Sequence, residues 1–276
     1  MLTNKEETLK RALSGDIHAF QELFADFQEQ LKSYLFRLTA NRNDAEDLTH
    51  DCFIKAFDKL GQFRGEASLK TWVFQIATNL AKNFLQRRSR WTVDVSSQAK
   101  ELVLNRPQLA QQIEKTSTAS PYGQYDIREH IDTCFTCISK TLAIENQVTL
   151  ILKDIYDFSV REIMIILDKT EGAVKYLLQT ARKTMTHIFD RRCALVNKNG
   201  TCHQCSELNG WLNPRQNQQA ALMKIKMARN REKSDQRALY QLRTALVKSI
   251  DPLRSDGHEM QELLMRCNRM AMGEET

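Results

Sequence analysis

Glycine and proline are scarce in this chain, nine and four in 276 residues. Few helix breakers favour a mostly helical protein. No apolar run approaches the roughly eighteen residues that a membrane-crossing helix needs, and no signal peptide opens the chain, so a cytoplasmic protein without a membrane partner is expected. The sequence also lacks a nucleophile triad, a phosphate-cradling glycine loop and paired carboxylates in a plausible site, and no enzyme is expected. Its seven cysteines, in a cytosolic chain, read as reduced or metal-bound rather than as structural disulfides. What is present is a net charge of +6 with 42% hydrophobic residues. That length and composition fit two or three helical domains with room for a polyanionic partner.

The pattern is strongest from Phe63 to Trp91, FRGEASLKTWVFQIATNLAKNFLQRRSRW. Leu69, Trp72, Val73, Ile76, Ala77, Leu80, Ala81, Phe84 and Leu85 recur with the period of an amphipathic helix, and Ser68 stands where an N-cap belongs. The opposite face carries Thr71, Gln75, Asn79, Lys82, Asn83 and Gln86 and runs out into Arg87, Arg88 and Arg90. From Arg64 to Trp91 there are six basic residues against the single acid Glu66. Amides and cations beside aromatic residues such as Trp72 suit phosphates and base edges; the bland alternative is a basic solvated face.

Before this stretch the chain reads as three helices: residues 4 to 13, a second burying Phe20, Leu23, Phe24, Phe27, Leu31 and Leu35, and a third capped by Asn43. The third has an apolar stripe of Ala45, Leu48, Cys52, Phe53, Ala56 and Leu60. Its other stripe, Asp47, His50, Asp51, Ile54 and Asp58, is acidic, which solvation alone would also explain. Residues 92–125 hold few large apolar side chains, with Pro107 and Pro121 among Ser, Thr and Gln, and read as a linker with at most transient helix. Helices resume near Asp126. Ser159 can cap VREIMIIL, a break falls at Asp168-Lys169, and Thr170 can cap a longer helix whose outer face holds Glu171, Lys175, Tyr176, Gln179, Arg182 and Lys183. This is the helix-turn-helix pattern, with an outer face that can enter a major groove.

Taken in order, DAEDLTHDCFIKAF, the Phe63–Arg90 stretch and VREIMIILDKTEGAVKYLLQTARKTM resemble a bacterial RNA polymerase sigma factor of the two-domain extracytoplasmic-function (ECF) group. The resemblance implies an all-α fold of two small helical domains joined by a flexible linker. Residues 1–91 would bind core RNA polymerase through Asp47, His50, Asp51, Ile54 and Asp58. They would read a minus-ten promoter element through Trp72, Asn79, Lys82, Asn83, Arg87, Arg88 and Arg90. Residues 126–192 would read the minus-thirty-five element of promoter DNA through Thr170, Glu171, Lys175, Tyr176, Gln179, Arg182 and Lys183. About 35 linker residues reach on the order of 115 Å when extended, enough to join two such elements. The alternative is a helix-turn-helix regulator with a metal- or redox-sensing module, which leaves the acidic helix unexplained.

The resemblance does not cover residues 193–276, a helical extension with stripes at Leu222, Ile225, Ala228, Leu239, Leu242 and Leu246 and at Leu263, Leu264, Cys267 and Met270. It reads either as solvated basic helices or as a regulatory domain folded back on the sigma modules, standing in for an anti-sigma factor. His130, Cys134 and Cys137 share one helix face, and Cys202 and Cys205 form a C-x2-C knuckle after Cys193. Zinc held by Cys134, Cys137, Cys202 and Cys205, with His130 or Cys193 as substitutes, is the expectation; a thiol switch and inert packing are the alternatives. No βαβ pattern surrounds either pair, which argues against a C-x-x-C oxidoreductase.

Overall fold

The phenylalanines of the first ninety residues need a shared interior, and helices packed on one another supply it. In the computed structural model, which describes residues 4–119 and 123–275, helix α1 is Asn4–Leu13, α2 Ile17–Thr39, α3 Arg42–Asp58 and α4 Leu69–Leu85. Asp16 caps α2, its carboxylate accepting from the His18 and Ala19 amides at 3.0 and 3.1 Å. Ser68 caps α4 through the Thr71 amide at 3.1 Å. The cap of α3 is Asn41, which accepts from the Asp44 amide, two residues before the expected Asn43. Only Ala40, in the left-handed region at φ 58°, separates α2 from that cap, so the helix starts as soon as the chain has turned. Phe20, Phe24, Leu31, Tyr34, Leu35 and Leu38 are buried with Cys52, Ala56, Val73, Phe74, Ala77 and Ala81. Tyr34 places its hydroxyl 2.8 Å from Thr78 Oγ1 within this interior.

The chain then continues through α5 (Val95–Asn105), α6 (Pro107–Ala119), α7 (Ile127–Ser139), α8 (Ile144–Asp154), α9 (Val160–Leu167) and α10 (Glu171–Arg192). It ends with α11 (Gln204–Leu212), α12 (Gln218–Met223), α13 (Lys226–Asn230), α14 (Gln236–Lys248) and α15 (His258–Ala271). Among the described residues the protein is all helix and turn, with one isolated pairing of Cys193 and Cys202.

Two compact units divide the chain, and not at the expected boundaries of 91, 125 and 192. The first comprises residues 1–88 and 158–176, the second 89–157 and 177–276. Residues 95–119, expected to be a flexible linker, are two helices. Val95 and Ala99 sit four apart, as do Leu109 and Ile113; all four are buried, and Ala99 and Ile113 join the core that holds Met260, Leu263 and Cys267 of α15. That apolar spacing was present but sparse amid Ser, Thr and Gln, so it gave no helical signal without its partner. Pro121 lies outside the described residues. The extension at 193–276 is likewise no separate domain: Ile127 and Ile131 of α7 share one core with Ile225, Met227, Leu239, Met260 and Leu263.

In the first unit, the short helix α9 lies against α4. Ser159 and Glu162 form a reciprocal capping box at its start. The Thr71 hydroxyl donates to Glu162 Oε1 at 3.1 Å, Gln75 Nε2 donates to the Ile165 carbonyl at 2.9 Å, and the Phe74 and Phe158 rings are 4.8 Å apart. Lys70 reaches over the Phe158 ring at 5.0 Å, and burial lowers its ammonium pKa.

Candidate functional site

Three surfaces and one buried cluster hold the residues singled out by the sequence. On α3 the apolar stripe turns inward, with Cys52 fully buried and its thiol pushed up to about 12 by burial and by the neighbouring Asp51. The five residues on the other side, Asp47, His50, Asp51, Ile54 and Asp58, are all exposed. Ile54 keeps 45% of its surface in water at the centre of three carboxylates. An exposed branched apolar side chain ringed by charge is a docking pattern, because the apolar contact gives affinity and the charges set the approach.

The α4 face is divided. Asn79 and Asn83 are exposed one turn apart, Lys82 and Trp72 are half-buried, and Arg87 is exposed. The Trp72 and Phe63 rings lie 5.5 Å apart, an aromatic pair at the helix start. Thr71 and Gln75, on the same amide face, are occupied by α9 as described. Arg88 donates to Asp44 Oδ2 at 2.8 Å and stacks on Phe84 at 4.3 Å. Arg90, in the second unit, donates to Gln147 Oε1 at 2.5 Å and to the Ser139 carbonyl, and burial lowers its pKa to about 10 despite nearby Glu274. Arg88 and Arg90 were expected on DNA, but here both are committed to protein partners. The run of arginines hid this because its partners are distant in sequence.

The recognition helix keeps most of its expected face. Thr170, Glu171, Lys175 and Tyr176 of the first unit are exposed, Tyr176 at 68%. Lys175 pairs with Glu171 at 2.6 Å, an i,i+4 bond on open surface that contributes little. In the second unit Gln179 and Lys183 are exposed. Arg182 is exposed as well, and from there it holds buried Asp154 of α8 with two donors, Nε at 2.9 Å and Nη2. That bond raises its pKa. Tyr240 of α14 donates to the same carboxylate at 3.0 Å. Arg182 therefore joins α10 to α8 while 45% of its side chain stays in water.

In the second unit, His130, Cys134, Cys193, Cys202 and Cys205 line one small cavity of about 50 Å3. Burial pushes the Cys134 and Cys205 thiols well up. Cys137, an expected ligand, also borders this space, but its Sγ donates to Met265 Sδ at 3.5 Å and accepts from Asn268 Nδ2 at 3.2 Å. Among the described residues, no three His, Cys, Asp or Glu side chains already stand at metal-holding geometry. Sequence reasoning missed Arg243, which is 2% exposed and donates to Cys193 Sγ at 3.1 Å. A signal existed: Arg243 falls four residues after Leu239 and four before Val247, on the buried stripe of α14.

With this geometry in hand, comparison with known proteins is informative. Residues 23–91 match the family described as Sigma-70 region 2. The chain is similar to the RNA polymerase sigma-H factor of Pseudomonas aeruginosa, 27% identical over 188 residues, covering 67% of this chain and 94% of that protein. It is similar to the RNA polymerase sigma factor YlaC of Bacillus subtilis, 29% identical over 164 residues, covering 59% and 88% respectively. It is also 38% identical over 82 residues to the ECF RNA polymerase sigma-E factor of Haemophilus influenzae, covering 30% of this chain and 43% of that one.

Proposed function

We propose that the chain is a bacterial RNA polymerase sigma factor of the extracytoplasmic-function group, that it binds core polymerase through the α3 face and that it reads promoters with α4 and α10. It directs promoter-specific initiation and acts in the cytoplasm as a transcription factor, not a catalyst. No helix among the described residues is long and apolar enough to cross a membrane.

One observation carries this reading. The stripe Asp47, His50, Asp51, Ile54 and Asp58 is wholly exposed on a helix whose other side buries Ala45, Leu48, Cys52 and Ala56. Reversing two of those charges, Asp47→Lys with Asp51→Lys, is expected to reduce co-purification with core polymerase at least tenfold, with no loss of helicity. Neither residue contributes to the core, and surface changes of this kind alter stability by about 0.5 kcal/mol or less. Undiminished co-purification of the double variant would remove the α3 face from the account.

On α10, Lys175, Tyr176 and Gln179 are assigned to the upstream element. Alanine at a base-edge contact should cost about 1–3 kcal/mol and relax selectivity at one position, whereas a lost phosphate contact weakens all sequences alike. Arg182→Ala should leave selectivity unchanged, because its guanidinium is held by Asp154. Footprints on matched and mismatched upstream elements check this, and unaltered selectivity in all of the first three variants would exclude the helix as the reader. On α4, Asn79, Lys82, Asn83 and Arg87 beside Trp72 are assigned to the unpaired strand. Thr71 and Gln75 join them only when α9 moves away. The regulatory role of a separate anti-sigma protein is assigned to residues 193–276, since they share a core with α7 and fasten Arg182 through Asp154 and Tyr240.

A further inference from the structure

Four cysteines from three parts of the chain meet in the second unit. Cys134 comes from α7, Cys193 from just past α10, Cys202 from the following loop and Cys205 from α11, and all four line the same small cavity. The loop between the second and third is built to hold them side by side. The Cys202 amide donates to the Arg192 carbonyl at 2.7 Å, and the Ala194 amide donates to the Cys202 carbonyl at 3.1 Å. Gly200 permits this closure: a Cβ there would lie 2.7 Å from Ala194 N and Cys193 C, and 2.8 Å from Arg192 O. Any other residue would make this backbone shift.

The groups around the cavity want an anion. Arg243 is fully enclosed, with its guanidinium 3.5 Å from the centroid of the Phe189 ring. Its Nη2 donates to a sulfur, Cys193 Sγ, and its Nε and Nη1 have no partner. A buried cation without a counter-charge is costly. His130, 5% exposed and lining the same cavity, has an Nδ1 with no partner. Neutral thiols are weak acceptors for the guanidinium. Thiolates are strong ones, and thiolates gathered in fours at a buried site are what a tetrahedral divalent ion requires.

We propose that Cys134, Cys193, Cys202 and Cys205 hold one divalent ion of the zinc class, with Arg243 supplying the positive charge of its surroundings. His130 closes the wall of the site. Cys137, expected from its spacing to be a ligand, is replaced by Cys193, because Cys137 Sγ is bound by Asn268 and Met265. Binding balances as follows: four thiols release four protons, the ion accepts four sulfur electron pairs, and the centre carries a net charge of −2. Arg243 offsets half of that. The side chains must rotate inward to reach the about 2.3 Å of a zinc–sulfur bond, and the cavity leaves room for this. One ion then ties α7, the end of α10 and α11 together, so that the DNA-reading helix and residues 193–276 are fastened by the same centre.

The test is metal content and native mass of the full chain, purified under reducing conditions and equilibrated with zinc alone before dialysis. The expected result is close to one equivalent per chain, with a mass increment equal to zinc less the displaced protons. Cys193→Ser and Cys202→Ser should each lose most of the zinc, while Cys137→Ser should keep it. Should the serine variants fail to fold, the wild type still decides. Four thiols shielded from an alkylating reagent, and released by a chelator, would agree with the proposal. Less than about a tenth of an equivalent in the wild type would overturn it, as would zinc loss in Cys137→Ser equal to that in Cys193→Ser. Disulfide formation by peroxide in a wild type that takes up no zinc would replace the metal centre with a thiol switch.

Discussion

Phe24→Ala is expected to cost the first unit about 3–5 kcal/mol, the range for removing a large aromatic from a packed core. Phe24 is 2% exposed, with its ring 6.0 Å from Phe20, 5.3 Å from Phe27 and 5.1 Å from Phe53, the last edge-on at 88°. Aromatic pairs in such arrangements contribute beyond their buried area. Phe53 belongs to α3, so the loss loosens the helix that presents the acidic face as well as α2. The protein has two units, and a single unfolding midpoint would mix them. Hydrogen exchange of peptides from α2 and α3 reads the first unit alone. Exchange should accelerate by about two to three and a half decades, at roughly 1.4 kcal/mol per decade. Acceleration of less than tenfold would mean that the cluster is not what holds α2 to α3. Ile54→Ala, on the exposed side of α3, should change exchange little.

The second large effect belongs to Asp154, whose side chain is 8% exposed. It accepts from Arg182 and from Tyr240, joining α8, α10 and α14. Asp154→Ala strands the Tyr240 hydroxyl, which is buried, at about 1–3 kcal/mol. The ion pair with Arg182 adds up to about 1 kcal/mol, since 45% of the Arg182 side chain reaches water and solvent screens it. Faster exchange should appear in α8, α10 and α14, and Tyr240→Phe should reproduce only part of it. If Asp154→Ala left α14 as protected as wild type, the extension would be held by the core it shares with α7 alone.

Local pattern carried much of this architecture. Ser68, Ser159 and Asp16 were readable as caps because a short polar side chain before an amphipathic run satisfies the free amides of a helix start wherever it occurs. The exposed face of α3 followed from spacing alone, whereas on α4 spacing placed Val73, Ala77, Ala81 and Leu85 inside but missed the buried Thr71, Phe74 and Thr78. Long-range partners were not readable. Arg88, Arg90 and Arg182 stand at positions that local pattern gives to DNA, and nothing nearby marks Asp44, Gln147 or Asp154 as their partners. The same blindness made residues 95–119 a linker, because the apolar residues of α5 and α6 are too few to bury anything until α15 covers them. The cysteines show both limits together. Cys134, Cys137, Cys202 and Cys205, grouped by spacing, line one cavity, and Cys193 lines it with them. Only packing shows that Cys137 faces Asn268 while Cys193 faces Arg243.

The central claim is that this chain makes core RNA polymerase start at chosen promoters. Run-off transcription tests it most directly, with purified core polymerase, the full-length chain and a template library randomised in the upstream and minus-ten elements, read by sequencing the transcript starts. The account predicts start sites that appear only when the chain is present and that share two sequence elements at a fixed spacing, with the effect lost in Asp47→Lys, Asp51→Lys. Starts no more frequent or selective than those of core polymerase alone would contradict it.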